Sequence, residues 1–375
     1  MTSTPAVRLP LSESAARVRS LAAERAAAGE AARRLDQEVL DAIVAAGFAR
    51  HFVPARWGGH EGSLASAGEA IALVGEGCAS AAWIASVFAY SGRFAALLPE
   101  QAQAEVWADG PDRIVASALV PVGTADEVPG GWRVSGTWLY ISGAGEAGWA
   151  LVCGPAPAGP KQPLKVFAVP RADYTVEDTW HSTGMRATMS NTLVLDDVFV
   201  PEHRVFPHAT LLGGASDPAR PACHRTPMRA AGGLTFGMPI VGAATAALRA
   251  STAAQAAKQE RSGKPDRPAQ LELTRAAAEI DTARRTLEQV AEQCDQGRFS
   301  RLERSRYPRD AALAVELAAT AVDRLVRLGG TAGFADDTPI QRIWRDVTCA
   351  STHHAVRMAT AAPAFAAALL DGGGR

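Results

Sequence analysis

The stretch GWRVSGTWLYISG, residues 131–143, reads as a β-strand, and it lies between two long regions that read as helix. Trp132, Val134 and Gly136 alternate with Arg133, Ser135 and Thr137, the period of two that a half-buried sheet face requires. Pro129-Gly130 before it and Gly143-Ala144-Gly145 after it are turn signals. Further runs of the same kind cover 113–120, 149–153, 164–170 and 191–201, with a proline-rich turn at 155–160. Five or six such strands predict a small middle domain of barrel or sandwich type.

In both directions from this island the hydrophobic period becomes helical. Within 12–110, Leu35, Val39, Leu40, Ile43 and Val44 share one face, and Gly47 follows as a C-terminal cap. The stretch 64–92 is apolar all round, which predicts burial, and a shorter helix begins near Pro99. Toward the C-terminus, helices are expected over 226–260, 268–296, 308–329 and 340–370, joined by short breaks, which reads as an antiparallel bundle. The intervening 206–224 reads as a flexible loop. The expected fold class is α+β, mostly helical: an N-terminal helical domain (1–112), a middle β domain (113–210) and a C-terminal four-helix bundle (211–375). A chain of three parts has its natural ligand site where they meet.

Composition narrows the function. A formal net charge of −1 offers no electrostatic footprint for nucleic acid or an anionic membrane. The five cysteines form no C-x-x-C pair, so neither a disulfide framework nor a structural zinc is expected. The first twenty residues lack the apolar core of a signal peptide, and no uninterrupted apolar run approaches the roughly 18 residues of a membrane span. A cytoplasmic location is expected.

Four stretches carry a family resemblance: Cys78 to Ser86 around Trp83; Ser117 to Gly143 with Trp149; Thr183 to Ser190 with the following Asp197–Pro201 run; and Leu328 to Phe334 with Pro339 to Asp346. In that order they resemble the acyl-CoA dehydrogenase superfamily. The nearer likeness is to its flavin-dependent monooxygenases, the oxygenase components of two-component phenol hydroxylases and the sugar N-oxygenases. The resemblance implies a bound reduced flavin, FMN or FAD, with O2 as co-substrate. It also implies a C4a-hydroperoxyflavin that oxygenates a small aromatic or an amine, a separate NAD(P)H:flavin reductase as partner, and a homotetramer.

By the same resemblance Ser142 and Ser117 approach the flavin, Trp83 walls it, and Tyr140 precedes the serine at the strand end. Arg261, Gly329 and Gly330 match the region that reaches the dinucleotide half of the cofactor across a subunit boundary. Read without the resemblance, the two serines are strand-end turn residues, Trp83 is core and Arg261 is a solvated bundle arginine. Dehydrogenases of the commonest pattern place a glutamate base eight residues after the Asp of an Arg-Asp pair. Here the pair is Arg345-Asp346 and that position is His354, whereas the monooxygenase relatives show a histidine at seven, which is His353. His353 and Asp346 are therefore the catalytic candidates, two helical turns apart on one expected helix. A neutral imidazole can take a substrate proton, and an imidazolium can stabilise an oxygen anion.

Three departures qualify the likeness. Ser91 stands where the phenol hydroxylases have a second histidine, which lifts amine or sugar substrates. Val326 stands where dehydrogenases have a glutamine before the Gly-Gly pair, and Ser262-Gly263-Lys264-Pro265 replaces their Arg-x-x-Phe-Gly motif. The eroded dinucleotide contacts point to FMN or loosely held FAD. An acyl-CoA dehydrogenase with a displaced base and a non-catalytic flavin-fold protein remain as alternatives.

Overall fold

The computed structural model describes residues 11–157 and 163–372; the end of the 155–160 turn and the two chain termini lie outside them. Among the described residues the chain opens with α1 (Leu11–Ala32), α2 (Gln37–Ala46), α3 (Leu64–Gly75), α4 (Ala79–Ala95) and α5 (Glu100–Val106). The strands are β1 (Val115–Ala118), β2 (Thr124–Val128), β3 (Gly131–Ile141), β4 (Trp149–Pro155), β5 (Leu164–Pro170), β6 (Thr175–Glu177), β7 (Asn191–Pro201) and β8 (Val205–Pro207). The remainder is α6 (His208–Gly213), α7 (Ala222–Arg225), α8 (Met228–Ser262), α9 (Arg267–Asp295), α10 (Arg301–Leu328), α11 (Pro339–Ala350) and α12 (Met358–Leu370). The order is the expected one: helices, a β domain, then a bundle.

The strands form two four-stranded sheets, ordered β1-β4-β5-β8 and β2-β3-β7-β6. Their inner faces share one core, in which Ala116, Val152 and Phe167 of the first meet Trp132, Trp138 and Leu193 of the second. The Trp138 indole N–H donates to the Cys153 carbonyl at 3.1 Å and so joins the sheets. Trp132 and Val134 are buried, as their alternation requires. Register shifts between Val134 and Gly136 and between Trp138 and Ile141 then break that alternation. The second leaves Leu139 and Tyr140 facing solvent. Strands β2, β6 and β8 escaped the sequence reading because three to five residues are too few for a period to show.

Helix α4 is buried along almost its whole length and packs on α3, α8 and β1. The α3–α8 crossing is close because Gly75 and Gly242 face one another. A Cβ on Gly242 would lie 2.1 Å from the Ala72 carbonyl oxygen, and one on Gly75 would lie 2.8 Å from that of Pro239. Helix α8 is long and apolar enough to span a membrane, but 72% of its apolar window is buried inside the fold. It is the core helix of the bundle.

Four expectations need correction. The stretch 64–92 is two helices, broken after Gly75, and a Cβ at Gly77 in the break would lie 2.2 Å from the Arg19 carbonyl oxygen. Helix α10 begins at Arg301 rather than 308: Ser300 and Glu303 form a capping box, and Pro308 sits inside the helix. The 206–224 stretch contains α6 and α7, and buried Arg93 donates to the carbonyls of Cys223 at 2.9 Å and Thr226 at 2.7 Å. The expected helix 340–370 ends at Ala350 and resumes at Met358. Its last carbonyls are taken by side chains: Ser351 Oγ donates to Thr348 and Thr352 Oγ1 to Cys349. His353 thus stands in a break, not on the face of a continuous helix.

Candidate active site

All three parts of the chain converge on Trp83. Its ring lies 4.8 Å, centroid to centroid, from Phe236 of α8 and 5.7 Å from His353, edge-on to the latter at 74°. Phe236 and His353 stack at 3.7 Å with their planes 31° apart, and His354 follows at 4.5 Å from His353. Phe236 is the one aromatic residue in α8, otherwise rich in small residues near this point, and that solitary position was its sequence signal.

The break after α11 decides the state of His353. Its Nδ1 accepts a hydrogen bond from the Ala355 backbone N–H at 3.3 Å and caps a short 3-10 turn, His354–Val356. An acceptor Nδ1 places the proton of the neutral ring on Nε2. Burial, and then the neighbouring His354, lowers the imidazole's pKa to about 3, so the ring is neutral near pH 7. The imidazolium role left open by sequence is therefore disfavoured, and the resting ring offers an N–H donor at Nε2.

Asp346 does different work. It is buried, and its Oδ1 accepts the Met185 backbone N–H at 2.5 Å. Burial raises its pKa to about 6, against the lowering effects of that hydrogen bond and of Arg342 and Arg345. Arg345 donates to the Thr183 carbonyl at 2.7 Å and forms an ion pair with Glu30 of α1. The Arg-Asp pair is a clamp from α11 onto the 183–185 segment. Gly184 permits the approach, since a Cβ there would lie 2.1 Å from the Arg345 carbonyl oxygen. Among the described residues no hydrogen bond joins Asp346 to His353, so Asp346 is placed as a positioning residue.

The clamped segment carries two hydroxyls that sequence reasoning did not select. The Trp83 indole N–H donates to Ser142 Oγ at 3.0 Å. Ser142 Oγ lies 2.7 Å from Ser190 Oγ, which lies 2.6 Å from Thr188 Oγ1. Thr188 donates to the Met185 carbonyl at 2.9 Å. The i, i+2 spacing of Thr188 and Ser190, just before β7, was the available signal. Ser190 and Thr188 are buried, and Ser142 is partly exposed.

The other candidates lie apart from this cluster. Ser117 of β1 donates to buried Ser91 of α4 at 2.9 Å, so the serine in the second-histidine position is held by a neighbouring hydroxyl. Tyr140 has a left-handed backbone, φ 66°, is 68% exposed, and meets Trp180 edge-on at 5.8 Å. Arg261 closes α8, roughly 37 Å beyond Phe236 at about 1.5 Å of rise per residue. Gly329 and Gly330, exposed at the end of α10, share that far end, where Gln255 of α8 donates to the Leu328 carbonyl at 3.4 Å. Within one protomer these three are not brought to Trp83. A surface groove of about 500 Å³ lies at the α8–α9 turn, lined by Lys258, Lys264 and Arg267 among others, far from the aromatic cluster.

A flavin ring needs flat apolar faces and hydrogen-bonding groups at its polar edge. Trp83 and Phe236 provide the first, and the hydroxyls led by Ser142 the second. The residues present fit the group, and the three-part fold around them defines a flavoenzyme of the acyl-CoA dehydrogenase architecture. Residues 234–358 match the family described as acyl-CoA dehydrogenase, C-terminal domain. The chain is 32% identical to the flavin-dependent monooxygenase oxygenase subunit HsaA of Rhodococcus jostii, over 88% of this chain and 91% of that one. It is 33% identical to the FADH(2)-dependent resorcinol hydroxylase oxygenase component of a Rhizobium species, over 86% and 85%. The solved structure of XiaF from Streptomyces, in complex with FADH2 and glycerol, superimposes with a TM-score of 0.91 at 30% identity, over 97% and 96%.

The chain belongs to the flavin-dependent monooxygenase oxygenase subunits of the acyl-CoA dehydrogenase fold. It is the oxygenase component of a two-component system and uses reduced flavin, supplied by a separate flavin reductase, together with O2. The dehydrogenase and non-catalytic alternatives are set aside.

Proposed function

We propose that the chain hydroxylates a small phenolic aromatic, using FADH2 that diffuses from an NAD(P)H-dependent reductase. The observation that carries this reading is His353, neutral, protonated on Nε2 and stacked on Phe236 beside Trp83. Two relatives support it through their names: one hydroxylates resorcinol, a phenol, with FADH2, and the other was solved with FADH2. The eroded dinucleotide motifs then mean looser FAD contacts rather than a change to FMN.

When bound, reduced flavin supplies the electrons and the oxygen-activating chemistry. The chain's own residues bind, orient and exclude water. Trp83 and Phe236 present apolar ring faces against which a flat molecule lies without solvent. The His353 Nε2–H donates to the substrate's phenolic oxygen and favours its anionic form. That raises electron density at the neighbouring ring carbons, the positions an electrophilic oxygen attacks. Ser91 is held by Ser117, so His353 meets this oxygen without a second histidine opposite. The amine and sugar substrates left open by Ser91 are the runner-up.

A single-turnover experiment tests the reading: protein loaded anaerobically with FADH2 and a phenol is mixed with ¹⁸O2, and products are weighed by mass spectrometry. A phenol that gains one labelled oxygen supports it. Reoxidation of the flavin without labelled phenol, alongside labelled amino sugar, overturns it. We also propose that the chain acts in the cytoplasm as a homotetramer. Leu369 and Leu370, exposed on the last bundle helix, are available for such packing, and light scattering checks the mass.

A further inference from the structure

The hydroxyl row behind Trp83 has a direction that can be derived by counting protons. An indole N–H can only donate, so the row begins at Trp83. A backbone carbonyl can only accept, so it ends at Met185. Thr188 uses its one hydroxyl proton on that carbonyl and must accept from Ser190. Ser190 has then used its proton and must accept from Ser142. Four links are served by four protons, one from the indole and three from hydroxyls, and none is left over. Because both ends are groups of fixed function, the row reverses only if Thr188 gives up its 2.9 Å bond to the Met185 carbonyl.

Ser142, the partly exposed member, therefore has a lone pair to offer and no proton. The sequence offered a hydroxyl at Ser142 without a direction; tertiary contacts make it an acceptor. The two redox forms of an isoalloxazine differ in just this respect. The oxidised ring presents a bare lone pair at its central nitrogen N5, and the reduced ring presents an N–H there. An acceptor meets the N–H as a hydrogen bond and the lone pair as a repulsion.

We infer that Ser190 and Thr188 set the redox preference of the flavin site, by fixing Ser142 as an acceptor that holds reduced flavin and turns away oxidised flavin. This inference rests on the reading of the Trp83–Ser142 cluster as the flavin site. It gives an oxygenase fed from solution a physical means of taking the reduced form and releasing the spent one. Neither Ser190 nor Thr188 need touch the cofactor. For Ser142 to donate outward instead, either its link to buried Ser190 or the link from Thr188 to the Met185 carbonyl would have to break. One hydrogen bond is worth about a factor of ten in affinity.

The test is equilibrium binding of FAD and, anaerobically, FADH2 to the full chain and its variants, together with the midpoint potential of the bound flavin. The wild-type protein binds FADH2 more tightly than FAD. Ser190→Ala and the isosteric Thr188→Val free a proton for Ser142 and tighten FAD. Each lowers the FADH2/FAD preference about tenfold, a drop of about 30 mV in the bound two-electron potential. Thr188→Ser keeps the hydroxyl and keeps the wild-type ratio, and all variants are checked for native melting behaviour. If Ser142→Ala alters FADH2 or FAD binding while Ser190→Ala and Thr188→Val leave the ratio unchanged, the inference is overturned and the site reading stands. If Ser142→Ala changes the binding of neither form, the flavin does not lie at this cluster and both fail.

Discussion

The two ends of α8 make an instructive contrast. Near Phe236 the helix packs against α3, α4 and α11, and its neighbours come from both helical parts of the chain. At Arg261 it stands in solvent, beside the lysines and arginine of the α8–α9 turn. The first end concentrates a neutral histidine, two aromatic rings and a hydroxyl row of fixed direction. The second has exposed charge, with Lys258 paired to Asp266 at 2.9 Å in solvent. Chemistry that needs placement belongs at the enclosed end. The open end can serve a cofactor only through another protomer.

The largest expected effect is at the enclosed end. His353→Ala should lower phenol hydroxylation by about a hundredfold or more, the usual weight of a positioned proton-handling group. Its FADH2 affinity should move far less, and single-turnover product yield with a binding titration separates the two. Equal losses in both would show that His353 holds flavin rather than substrate.

Asp346 comes next, through stability. Asp346→Ala leaves the buried Met185 N–H without an acceptor, at a cost of about 1–3 kcal/mol, whereas Asp346→Asn keeps one. Thermal melting orders the variants. Near-equal melting of Asp346→Ala and wild type would remove the clamp from the account.

The pH dependence of stability sharpens the same point. Asp346 has a folded pKa raised from 3.8 to about 6, so its contribution is full below pH 3.8 and lost as pH rises through 6. His353 is lowered from 6.5 to about 3, so its contribution is full above pH 6.5 and lost as pH falls toward 3. The two oppose one another between about pH 4 and 6. Asp346→Asn removes the first, so the variant's melting temperature relative to wild type should improve from pH 5 to pH 7. An imidazole ¹⁵N titration should show His353 neutral throughout that range; protonation near pH 6.5 would contradict its burial.

The smallest effect belongs to the open end. Arg261→Ala should change FADH2 affinity by less than about threefold, since one solvent-exposed charge is screened. A larger loss would break the contrast and show that the far end reaches a flavin held by a neighbouring protomer. A concentration-dependent affinity would confirm it.

Much of this was legible in the residues. The alternation of 132–134, the helical faces on either side and the Gly47 cap are local, and these local patterns survive folding. Trp83, Ser142 and His353 were singled out by resemblance and do meet in space. Ser190 and Thr188 were quoted as part of a strand motif, yet nothing in a string of letters says that they stand in line with Ser142. The break at Ala350 was missed because Ser, Thr and His have only middling helix propensities and no Gly or Pro marks the spot.

By itself, then, the sequence determined the order of helix, strand and bundle, and the residue types available for a flavin and an aromatic substrate. Tertiary structure alone decided three further things: that Asp346 clamps a loop instead of serving His353, that His353 carries its proton on Nε2, and that Ser142 accepts rather than donates. Each of these depends on which partner sits at the other end of a hydrogen bond. Those partners are far apart in the chain for Asp346 and Ser142, and for His353 the partner amide depends on the helix ending where it does. Periodicity and propensity record how a residue relates to its neighbours in sequence, and they carry no information about such pairings.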